Sequence, residues 1–523
     1  MQCRHSGPIG QSIQSPRSTR PPRVAVVGAG VGGLAAALHL AASGAEVCVL
    51  EAADAPGGKL QPVRLGEHLL DAGPTVLTMR WVFDELAALA GQSLEDATGL
   101  TRLPVLARHH WPDGSRFDLP ADPAAALDAI GDFAGAAEAH RYRAFCERIR
   151  GVHDTLLHSF MAAQRPTPWS LAWRVARQGP HGLARIAPFH SLWHELGRHF
   201  HDPRLRQLFG RYATYCGGSP QLAPATLMVV AHVEQQGVWS LPGGLYRLAQ
   251  VLVGWLRARA VPLRCGCAVR ALHWRGARVA GVVLAGGEVV AADHVVFNGD
   301  VSALPAGLLG DGARGAAAPV AAHARSLSAL TWTAVVPRQA ADLLRHNVYF
   351  AHDGPREFQQ LFGERRLPAD PTIYLCAQDR EAATGTAAPH DRLLCLVNAP
   401  ALGHGGQGQP DAAALRACER QVQQRLADAG LAIALGGPRE GLLRRGPAEF
   451  AARYPGSGGA LYGRAPHGWR SSFARAAARS AVPGLSLAGG SVHPGPGLPM
   501  AALSGRLAAQ RACEALGLPM APA

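Results

Sequence analysis

One short segment predicts chemistry through the types and spacing of its residues. Gly28, Gly30 and Gly33 form a G-x-G-x-x-G pattern directly after a short apolar run, and Glu51 follows a second such run. The first glycine permits a tight turn, the second lets the backbone approach a pyrophosphate, and the third allows close packing of helix on strand. An acid about 20 residues beyond such a pattern accepts hydrogen bonds from a ribose diol. The segment therefore predicts a dinucleotide site.

A second glycine-rich segment, AGGSVHPGPGLPM, occupies residues 488–500. It separates an apolar run from a helical pattern, and Pro499 suits the first turn of that helix because its missing N–H costs little there. His493 is the candidate proton acceptor of this loop. The alternative is a loop histidine that hydrogen-bonds the backbone.

The elements that must position these residues follow from the apolar pattern. Residues 24–27 and 47–50 predict two buried parallel strands, and residues 34–42 predict the helix between them, with Gly44 as its C-terminal stop. Residues 485–488 predict a further strand before the second glycine-rich segment. The N-terminus of a helix offers free amides and a partial positive charge to phosphate groups. We therefore expect a Rossmann-like α/β unit.

Two additional turns make the order of motifs more specific. APGGKL (55–60) adds a glycine pair with Lys59, and DAGPTVLT (71–78) sets a Gly-Pro turn before an apolar run. This order resembles that of the flavin-containing amine oxidase and phytoene desaturase superfamily. Within it, the chain resembles the bacterial carotenoid desaturases, and among these the hydroxyneurosporene (1-hydroxycarotenoid 3,4-) desaturases. The blocks that carry this resemblance are DAGPTVLTMRWVFDEL (71–86), LFGRYATYCGGSPQLAPATL (208–227), YPGSGGALYG (454–463) and AGGSVHPGPGLPMAALSGRLAA (488–509).

The resemblance implies FAD as the cofactor and assigns residues to its site. Backbone near Val269 would meet the adenine, and Gly489 and Gly490 would let the backbone approach the pyrophosphate and ribityl chain. The helix that begins near Pro499 would direct free amides at the pyrimidine edge of the isoalloxazine and stabilise the reduced flavin. The full set of expected FAD-binding residues is Gly28, Gly30, Gly33, Glu51, Gly58, Lys59, Gly73, Pro74, Thr75, Val269, Gly489, Gly490, Leu498, Pro499 and Met500.

The resemblance also implies a long hydrophobic substrate that loses two hydrogens from a C–C single bond. In an acyclic 1-hydroxycarotenoid, C4 adjoins the polyene. Hydride transfer from C4 to flavin N5 would leave a cation spread over the conjugated chain, and loss of a proton from C3 would complete the double bond. No strong base is then needed, in agreement with a sequence that presents no obvious acid–base pair. Reduced flavin would pass its electrons to oxygen or to a membrane quinone.

Three residues in one of the family-like blocks are candidates for the wall of the substrate tunnel. These are Arg211, Tyr212 and Tyr215, for which helix packing is the alternative interpretation. Other activities on the same fold stay open, namely phytoene or neurosporene desaturation, carotenoid isomerisation and amine oxidation. A different class, a non-redox isoprenoid carrier of the escort type, would not need the intact glycine pattern, Glu51 or the C-terminal loop.

Composition limits the class of protein and its partners. The 523 residues are 48% hydrophobic and 17% charged, which is typical of a globular chain. The net charge of +13 comes from dispersed arginines, with Lys59 the only lysine, so we expect no nucleic-acid partner. The ten cysteines form no CxxC pair, and Cys265 and Cys267 are interpreted as alternate residues of a strand. We expect no metal site, and a reducing cytoplasm.

The domain organisation is predicted to be interleaved. Residues 1–22 are interpreted as a disordered leader. The FAD-binding domain would combine residues 23–85, 226–300 and 478–523. A substrate domain of mixed sheet with a helical cap would combine residues 86–225, which look mostly helical, and residues 301–477. The latter contain strand candidates at 330–336, 347–351, 372–377 and 393–398 and a helix at 412–427.

One stretch suggests contact with a membrane surface. Tryptophan beside arginine suits the headgroup region of a bilayer, so we expect peripheral association with the cytoplasmic side of the inner membrane. The alternative is a cap helix that packs its tryptophans inward. The residues concerned are Trp169, Trp173, Phe189, Trp193 and Phe200, accompanied by Arg174, Arg177, Arg185 and Arg198.

Overall fold

A computed structural model describes residues 20–164, 167–177, 189–339, 341–380, 389–437 and 440–522. Most of the predicted leader and Arg185 lie outside these residues. The strands are β1 (Arg23–Val27), β2 (Glu46–Leu50), β3 (Pro62–Leu65), β4 (His68–Asp71), β5 (Thr101–Arg102), β6 (Val105–His110), β7 (Arg116–Pro120), β8 (Trp239–Ser240), β9 (Leu263–Arg264), β10 (Val269–Arg275), β11 (Arg278–Leu284), β12 (Val289–Ala291), β13 (His294–Phe297), β14 (Ser328–Pro337), β15 (His346–Tyr349), β16 (Ile373–Ala377), β17 (His390–Ala399), β18 (Leu442–Arg445) and β19 (Leu485–Leu487).

The α-helices are α1 (Val31–Ala42), α2 (Trp81–Leu89), α3 (Leu94–Thr98), α4 (Pro123–Ala134), α5 (Ala136–Leu156), α6 (Pro168–Ala176), α7 (Leu192–His199), α8 (Pro203–Gly210), α9 (Val229–Gln235), α10 (Tyr246–Ala258), α11 (Gly354–Phe358), α12 (Ala412–Asp428), α13 (Pro447–Arg453) and α14 (Leu498–Leu516). The helices fall into groups by the core against which they pack: α1, α2, α3, α10 and α14 cover the parallel sheet described next, α4 to α9 form the cap, and α12 packs on the second large sheet. A 3₁₀ helix, Arg211–Cys216, follows α8 directly.

A five-stranded parallel sheet joins three distant parts of the chain. Its order is β19-β13-β1-β2-β9, and every neighbouring pair is parallel. The strands are short runs of valine, alanine and leucine that are buried on both faces, as parallel strands covered by helices require. The predicted strands at 24–27 and 47–50 and the helix at 34–42 are confirmed. Gly44, with φ +88°, lies just beyond α1 and accommodates the chain reversal there.

Helices α1 and α14 cross at a point where neither can carry a side chain. A Cβ added to Gly505 would lie 2.1 Å from the Gly32 carbonyl oxygen, and a Cβ added to Gly32 would lie 2.9 Å from the Ala501 carbonyl oxygen. Both helices follow strands of the same parallel sheet, so their N-termini lie at the same edge of it. The two glycines therefore set how closely the first and last helices approach each other.

The second large unit is a seven-stranded sheet of order β18-β14-β17-β16-β15-β6-β7. The strand candidates at 330–336, 347–351, 372–377 and 393–398 and the helix at 412–427 are confirmed within a few residues. The expectation that residues 86–225 are mostly helical is wrong for β6 and β7. This hairpin joins the sheet through a parallel pairing of β6 with β15. The polar residues of β6 do not predict a buried strand. Arg108 is buried there only because it pairs with Asp118 and Asp342.

Cys265 and Cys267 are not alternate residues of a strand, which corrects the prediction. Strand β9 ends at Arg264, and the chain then bends at Gly266, where φ is +66°. The bend is held by backbone hydrogen bonds from Gly266 N to the Ala53 carbonyl, 3.0 Å, and from Cys267 N to the Glu51 carbonyl, 2.8 Å. The two cysteines therefore belong to a loop that returns beside the end of β2.

The aromatic residues of the predicted membrane surface divide into two groups. Trp169, Trp173 and Phe189 are exposed by 85%, 61% and 76%. Phe200 is buried and stacks on neighbouring rings of the cap, which contradicts its assignment to the surface. Trp193 is half-buried beneath the Arg206 guanidinium, which lies 4.2 Å from its ring, so it also packs inward. Among the residues that the structure describes, we find no helix with both the length and the apolar character needed to cross a bilayer.

A pair of helical glycines tests the crossing of α1 and α14. Gly505→Ala should lower the melting temperature, because overpacking against backbone costs about 1–3 kcal/mol. Gly254→Ala in α10 is the matched control. Nothing lies within 4 Å of its added Cβ, so it should be stabilising by roughly 0.5–1 kcal/mol. Thermal unfolding of both variants measures their shifts in melting temperature. Equal shifts would contradict the close contact between α1 and α14.

Candidate functional site

The G-x-G-x-x-G turn lies at the carboxyl edge of the parallel sheet, directly after β1. Gly28 has a φ of +97°, and its N–H donates to the Leu50 carbonyl over 2.7 Å. A Cβ on Gly33 would lie 2.0 Å from the Gly28 carbonyl oxygen. A Cβ on Gly58 would lie 2.8 Å from the Cα of Gly30. The turn and the second glycine pair thus touch backbone to backbone, which leaves their open side for a ligand.

The Glu51 side chain points back at this turn. Its Oε2 accepts the Ala29 N–H over 2.7 Å, and its Oε1 accepts the Ala53 N–H over 2.9 Å. A carboxylate has about four acceptor positions, so two remain for hydroxyl donors. The hydrogen bond from Cys267 N to Glu51 also brings the start of β10, with Val269, toward the same end of the sheet.

Asn298 is a central residue that the sequence analysis missed. It follows β13, and its Nδ2 donates to the Gly28 carbonyl over 3.1 Å. Its side chain lies within 3.1 Å of a Cβ placed on Gly30, Gly32, Gly33 or Gly489. The Oδ1 atom is buried and has no hydrogen-bond partner. The available signal was an Asn-Gly pair at the end of an apolar strand, on the edge where ligands bind in open α/β sheets.

The C-terminal loop closes over the same edge. Gly489 donates its N–H to Ser504 Oγ over 3.0 Å and has a φ of +108°. Gly490 differs, because a Cβ there would meet only the Pro496 Cα, at 3.7 Å, which is ordinary contact. Pro499 lies in the first turn of α14 as expected. Met500 is partly buried and packs against both the apolar core around the parallel sheet and the apolar core of the cap.

Two buried helix ends at this edge lack the partners that helix ends normally have. Neither α1 nor α14 has a side-chain cap or an acid in its first turn. Their first residues, Val31 and Leu498, are nevertheless buried. Buried N–H groups without partners are costly, and such ends favour anions. Since Gly32 contacts Gly505, the start of α14 projects roughly 10 Å beyond the start of α1, at 1.5 Å per residue.

The end of β4 links the parallel-sheet unit to the seven-stranded sheet, which is called the substrate sheet from here on. The Asp71 carboxylate accepts the N–H groups of Leu245 and Tyr246, 2.5 and 3.1 Å away, at the start of α10. Gln378 pairs with the backbone of Asp71 in both directions, at 3.0 and 2.9 Å. Burial raises the pKa of Asp71, and these backbone hydrogen bonds oppose that effect. The Gly-Pro turn at 73–74 follows immediately.

The predicted residues Lys59, Gly73 and Thr75 lie along this link. Lys59 Nζ donates to the Leu461 carbonyl, and burial lowers its pKa. A Cβ on Gly73 would lie 1.9 Å from the Lys59 carbonyl oxygen. Thr75 Oγ1 lies 2.6 Å from the Tyr374 hydroxyl on β16. The YPGSGGALYG segment is thereby placed beside the glycine pair at 57–58.

Arg475 is a second residue that sequence reasoning missed. Its guanidinium donates to the carbonyls of Tyr462, Arg464 and Gly490, at 2.9, 2.7 and 3.4 Å. Burial lowers its pKa to about 10. It therefore fastens the glycine-rich segment 456–463 to the C-terminal loop. An isolated arginine in an arginine-rich chain gives no sequence signal for this role.

The candidate base His493 is engaged with the cap. It is 2% exposed, and its Nε2 lies 3.0 Å from the Phe160 carbonyl, so this nitrogen carries the proton and donates it. Its ring also meets the Phe160 ring edge-to-face. Burial lowers the pKa of His493 to about 4, so the ring is neutral at pH 7. These contacts match the alternative interpretation of a histidine bonded to the backbone.

The three tunnel candidates form one hydrogen-bonded group with Glu234. Tyr212 donates to Glu234 Oε2 over 2.6 Å and Tyr215 to Oε1 over 2.5 Å. Arg211 Nη2 donates to the Tyr215 hydroxyl over 3.4 Å, and its Nε is buried without a partner. Tyr212 is fully buried, whereas Arg211 and Tyr215 keep part of their surface accessible. The structure thus brings these residues together but separates Tyr212 from the open space.

The residues at the sheet edge fit FAD. The backbone-only turn at Gly30 and the uncapped start of α1 would receive the pyrophosphate, the carboxylate of Glu51 the ribose, and the uncapped start of α14 the flavin ring. The open space at Gly490 is a further feature that a ligand would complete. No group of histidine, cysteine or carboxylate side chains able to hold a metal ion occurs among the described residues.

Comparisons with known proteins support FAD as the cofactor. The profile of the flavin-containing amine oxidoreductase family matches residues 31–513. A hydroxyneurosporene desaturase from Rubrivivax gelatinosus is 49% identical over 94% of this chain and 93% of its own length. A hydroxyneurosporene desaturase from Cereibacter sphaeroides is 43% identical over 94% of this chain and 97% of its own length.

Among solved structures, cyclohexylamine oxidase from Brevibacterium oxydans is similar with a TM-score of 0.58. The match covers 95% of this chain and 100% of that protein, at 16% identity. At this identity the similarity bears on the fold alone. It agrees with an α/β fold that combines a dinucleotide-type sheet with a second sheet and a helical cap.

A valine at Gly490 tests where the cofactor lies. The protein itself tolerates a side chain there, because the nearest atom to an added Cβ is 3.7 Å away. Gly490→Val should therefore fold normally but purify with little or no FAD, measured from the visible flavin spectrum and released FAD. Gly286→Val is the matched control, since nothing lies within 4 Å of its Cβ in an exposed turn. Full FAD occupancy in Gly490→Val would contradict the placement.

Proposed function

Because the chain belongs to the flavin-containing amine oxidoreductase family, we propose that it is an FAD-dependent carotenoid desaturase that introduces the C3–C4 double bond of an acyclic 1-hydroxycarotenoid. The observation that carries this proposal is the similarity, along nearly the whole chain, to hydroxyneurosporene desaturases. The cradle at the sheet edge supports FAD as the cofactor. The enzyme is accordingly an oxidoreductase that acts on a CH–CH bond.

Bound FAD would supply the chemistry by accepting a hydride from C4 at its N5 atom. The chain's own residues bind and orient the reactants. The uncapped N-terminus of α14 provides amides and a positive dipole end where negative charge develops. Asp71 and Gln378 hold the cofactor-side turn against the substrate sheet. We assign no proton transfer to His493, because burial lowers its pKa to about 4 and its Nε2 is fixed by a hydrogen bond to the Phe160 carbonyl.

The alternatives, a carrier of a different class and other enzymes on the same fold, are less well supported. A non-redox isoprenoid carrier has no use for two buried helix ends without caps, since these cost free energy unless a ligand satisfies them. An amine oxidase shares the fold, but the similarity to cyclohexylamine oxidase is far weaker than that to the desaturases. A desaturase that acts on other carotenoid bonds is the nearest competitor and is separated by substrate tests.

We further propose that the substrate enters from a membrane surface near α6. A cavity of about 730 Å³ is lined by Thr167 and Pro168, where α6 begins, and by Phe473, Arg475 and His493 near the C-terminal loop. Helix α6 carries the exposed Trp169 and Trp173. An extremely hydrophobic substrate stays within lipid, so an entrance beside exposed aromatic residues shortens its path through water.

Other exposed groups extend this apolar face. Phe189 meets Trp469 edge-to-face, with ring centroids 5.7 Å apart. The Arg177 guanidinium lies 4.7 Å from the Trp173 ring, and that of Arg470 lies 5.0 Å from the Trp469 ring. Paired tryptophan and arginine side chains suit an anionic headgroup layer. These contacts support peripheral attachment to the cytoplasmic side of the inner membrane. Reduced FAD would then pass its electrons to oxygen or to a membrane quinone.

Conversion of defined carotenoids tests the proposed activity. FAD-loaded protein in lipid vesicles should convert 1-hydroxyneurosporene to a product that is lighter by two hydrogens and absorbs at longer wavelength, because one double bond extends the polyene. Phytoene and neurosporene serve as comparison substrates, and Gly490→Val serves as the FAD-depleted control. Oxidation of amines without any carotenoid product, or isomerisation at unchanged mass, would overturn the proposal.

Removal of the two exposed tryptophans tests the membrane surface. The double variant Trp169→Ala/Trp173→Ala should bind vesicles containing phosphatidylglycerol at least about 10-fold more weakly, since burial of one large side chain contributes about 1.5–3 kcal/mol. Val289→Ala removes an exposed apolar side chain on β12 and should leave binding unchanged. Vesicle co-sedimentation gives the affinities. Equal binding by the double variant and the wild type would contradict this surface.

A further inference from the structure

A buried polar group lies in the substrate domain where a purely hydrocarbon substrate would need only apolar walls. Arg211 and Tyr215 stand on the 3₁₀ helix Arg211–Cys216, and Glu234 stands on α9. The guanidinium lies over both tyrosine rings of this helix, 5.7 and 5.3 Å from their centroids. Burying a charge is expensive unless the charge is paired and fully hydrogen-bonded. Here the pairing is incomplete, since Arg211 Nε has no partner.

This group continues across the cap into the substrate sheet. The Tyr374 hydroxyl on β16 lies 2.8 Å from His346 Nδ1 and 2.6 Å from Thr75 Oγ1. The charge of Arg211 lowers the pKa of both Tyr374 and His346, so it lies within electrostatic range of this pair. The Nε2 atom of His346 is a second buried nitrogen without a partner. The 3₁₀ helix Arg211–Cys216 and strand β15 therefore each carry a buried nitrogen without a hydrogen-bond partner in the same region.

Arg211, Tyr215 and Tyr374 border an internal space. Burial has the largest single effect on the pKa of all three side chains. It raises the pKa of Tyr215 and Tyr374. It lowers the pKa of Arg211 and so opposes Tyr215 and Glu234, which raise that pKa. All three side chains nevertheless keep part of their surface accessible. Accessible surface on side chains so deep in the protein lies against a cavity. Tyr212, by contrast, has no such surface.

The space lies beside the expected position of the flavin ring. Val76, Tyr215, Tyr374 and Met500 all pack at the border of the same apolar cluster of the cap. Thr75, which bonds Tyr374, and Met500, in the first turn of α14, are both residues expected to meet the cofactor. A substrate group held by Arg211 and Tyr215 would therefore lie near the reacting bond.

We propose that Arg211 and Tyr215, oriented by Glu234, form the receptor for the terminal hydroxyl of the substrate. The inference rests on the proposed function. In a 1-hydroxycarotenoid only C2 separates the hydroxyl-bearing carbon from C3, so a hydroxyl receptor must lie next to the bond that is desaturated. Arg211 donates to the hydroxyl oxygen. Tyr215 donates its own hydroxyl hydrogen bond to Glu234, so its oxygen accepts the hydrogen bond of the substrate hydroxyl.

The receptor determines which end of the molecule enters and which substrates react. An unhydroxylated end would leave Arg211 and Tyr215 without partners in a dry site. Sites built to bond a substrate hydroxyl reject analogues that lack it by about 10⁴-fold, because the buried polar groups are then left unpaired. A tunnel lined by hydrocarbon alone could not discriminate so strongly between two ends of similar shape.

Two tyrosine variants test the receptor with a matched control. Tyr215→Phe removes the accepting oxygen from the cavity, whereas Tyr212→Phe removes an equivalent hydrogen bond to Glu234 away from it. We expect Tyr215→Phe to lower kcat/KM for 1-hydroxyneurosporene about 10- to 100-fold, mainly through KM, and to narrow its preference over neurosporene. We expect Tyr212→Phe to keep the wild-type preference. Carotenoid affinity can also be measured without turnover, by tryptophan fluorescence quenching in the FAD-depleted Gly490→Val protein. Adding Tyr215→Phe to that protein should narrow its preference for 1-hydroxyneurosporene over neurosporene.

The remaining outcomes separate this inference from the proposed function. If Tyr215→Phe does not fold, Arg211→Lys decides, because it keeps the positive charge beside Glu234 but lacks the planar set of guanidinium donors. It should also narrow the preference for the hydroxylated substrate. Wild-type protein that desaturates hydroxylated and unhydroxylated carotenoids equally well would overturn the receptor and leave the desaturase intact. An active Tyr215→Phe variant with an unchanged preference for the hydroxylated substrate would also overturn the receptor and leave the desaturase intact. Failure of the wild type on every carotenoid would overturn the proposed function itself.

Discussion

The contact between backbone and backbone at the edge of the parallel sheet is the constraint on which the rest of this structure depends. Asn298 holds the Gly28 carbonyl with its amide, and its side chain lies within 3.1 Å of a Cβ placed on any of four neighbouring glycines. Gly32 and Gly505 let the first and last helices touch at the same place. Three parts of the chain, hundreds of residues apart, thus meet at one point. Their meeting brings the N-terminal ends of α1 and α14 to the same edge of the sheet.

The substrate domain is attached to this edge by a few buried polar links. Asp71 receives the first amides of α10, and Gln378 of the substrate sheet pairs with the Asp71 backbone. Lys59 and Arg475 bind carbonyls of the glycine-rich segment 456–463. Each link ends on backbone rather than on another charged side chain, so its geometry is fixed by the fold. Small movements of either domain would break several of these bonds together, which favours a single relative arrangement around the cofactor.

Local features were predictable from the sequence, and contacts between distant segments were not. The strand–turn–helix–strand unit around Gly28 follows from spacing and apolar pattern, and so does Pro499 in the first turn of α14. Arg475 has no local pattern, and the Asn-Gly pair after β13 marks Asn298 without giving its role, because both roles exist only once remote loops are packed beside these residues.

The predictions that failed have physical explanations of the same kind. Strand β6 contains Arg108 and two histidines and does not look like a buried strand until partners on other elements neutralise the arginine. Cys265 and Cys267 alternate like strand residues, but hydrogen bonds to the end of β2 bend the chain between them. For Trp193 and Phe200, composition alone did not distinguish an exposed aromatic ring from one that packs against the cap. Tertiary contacts decided each case.

The polar side chains around the proposed reaction site are held in single protonation states. Burial lowers the pKa of His493 to about 4 and that of His346 to about 3, and it raises the pKa of Tyr215 and Tyr374. At pH 7 the histidines are therefore neutral and the tyrosines protonated, so none of these groups exchanges protons readily. In the proposed reaction this is no handicap, because the polyene stabilises the positive charge left by hydride loss and even a weak acceptor can then take the C3 proton. Fixed protonation instead gives each hydrogen bond a fixed direction, which is what recognition of a single hydroxyl on a long hydrocarbon requires.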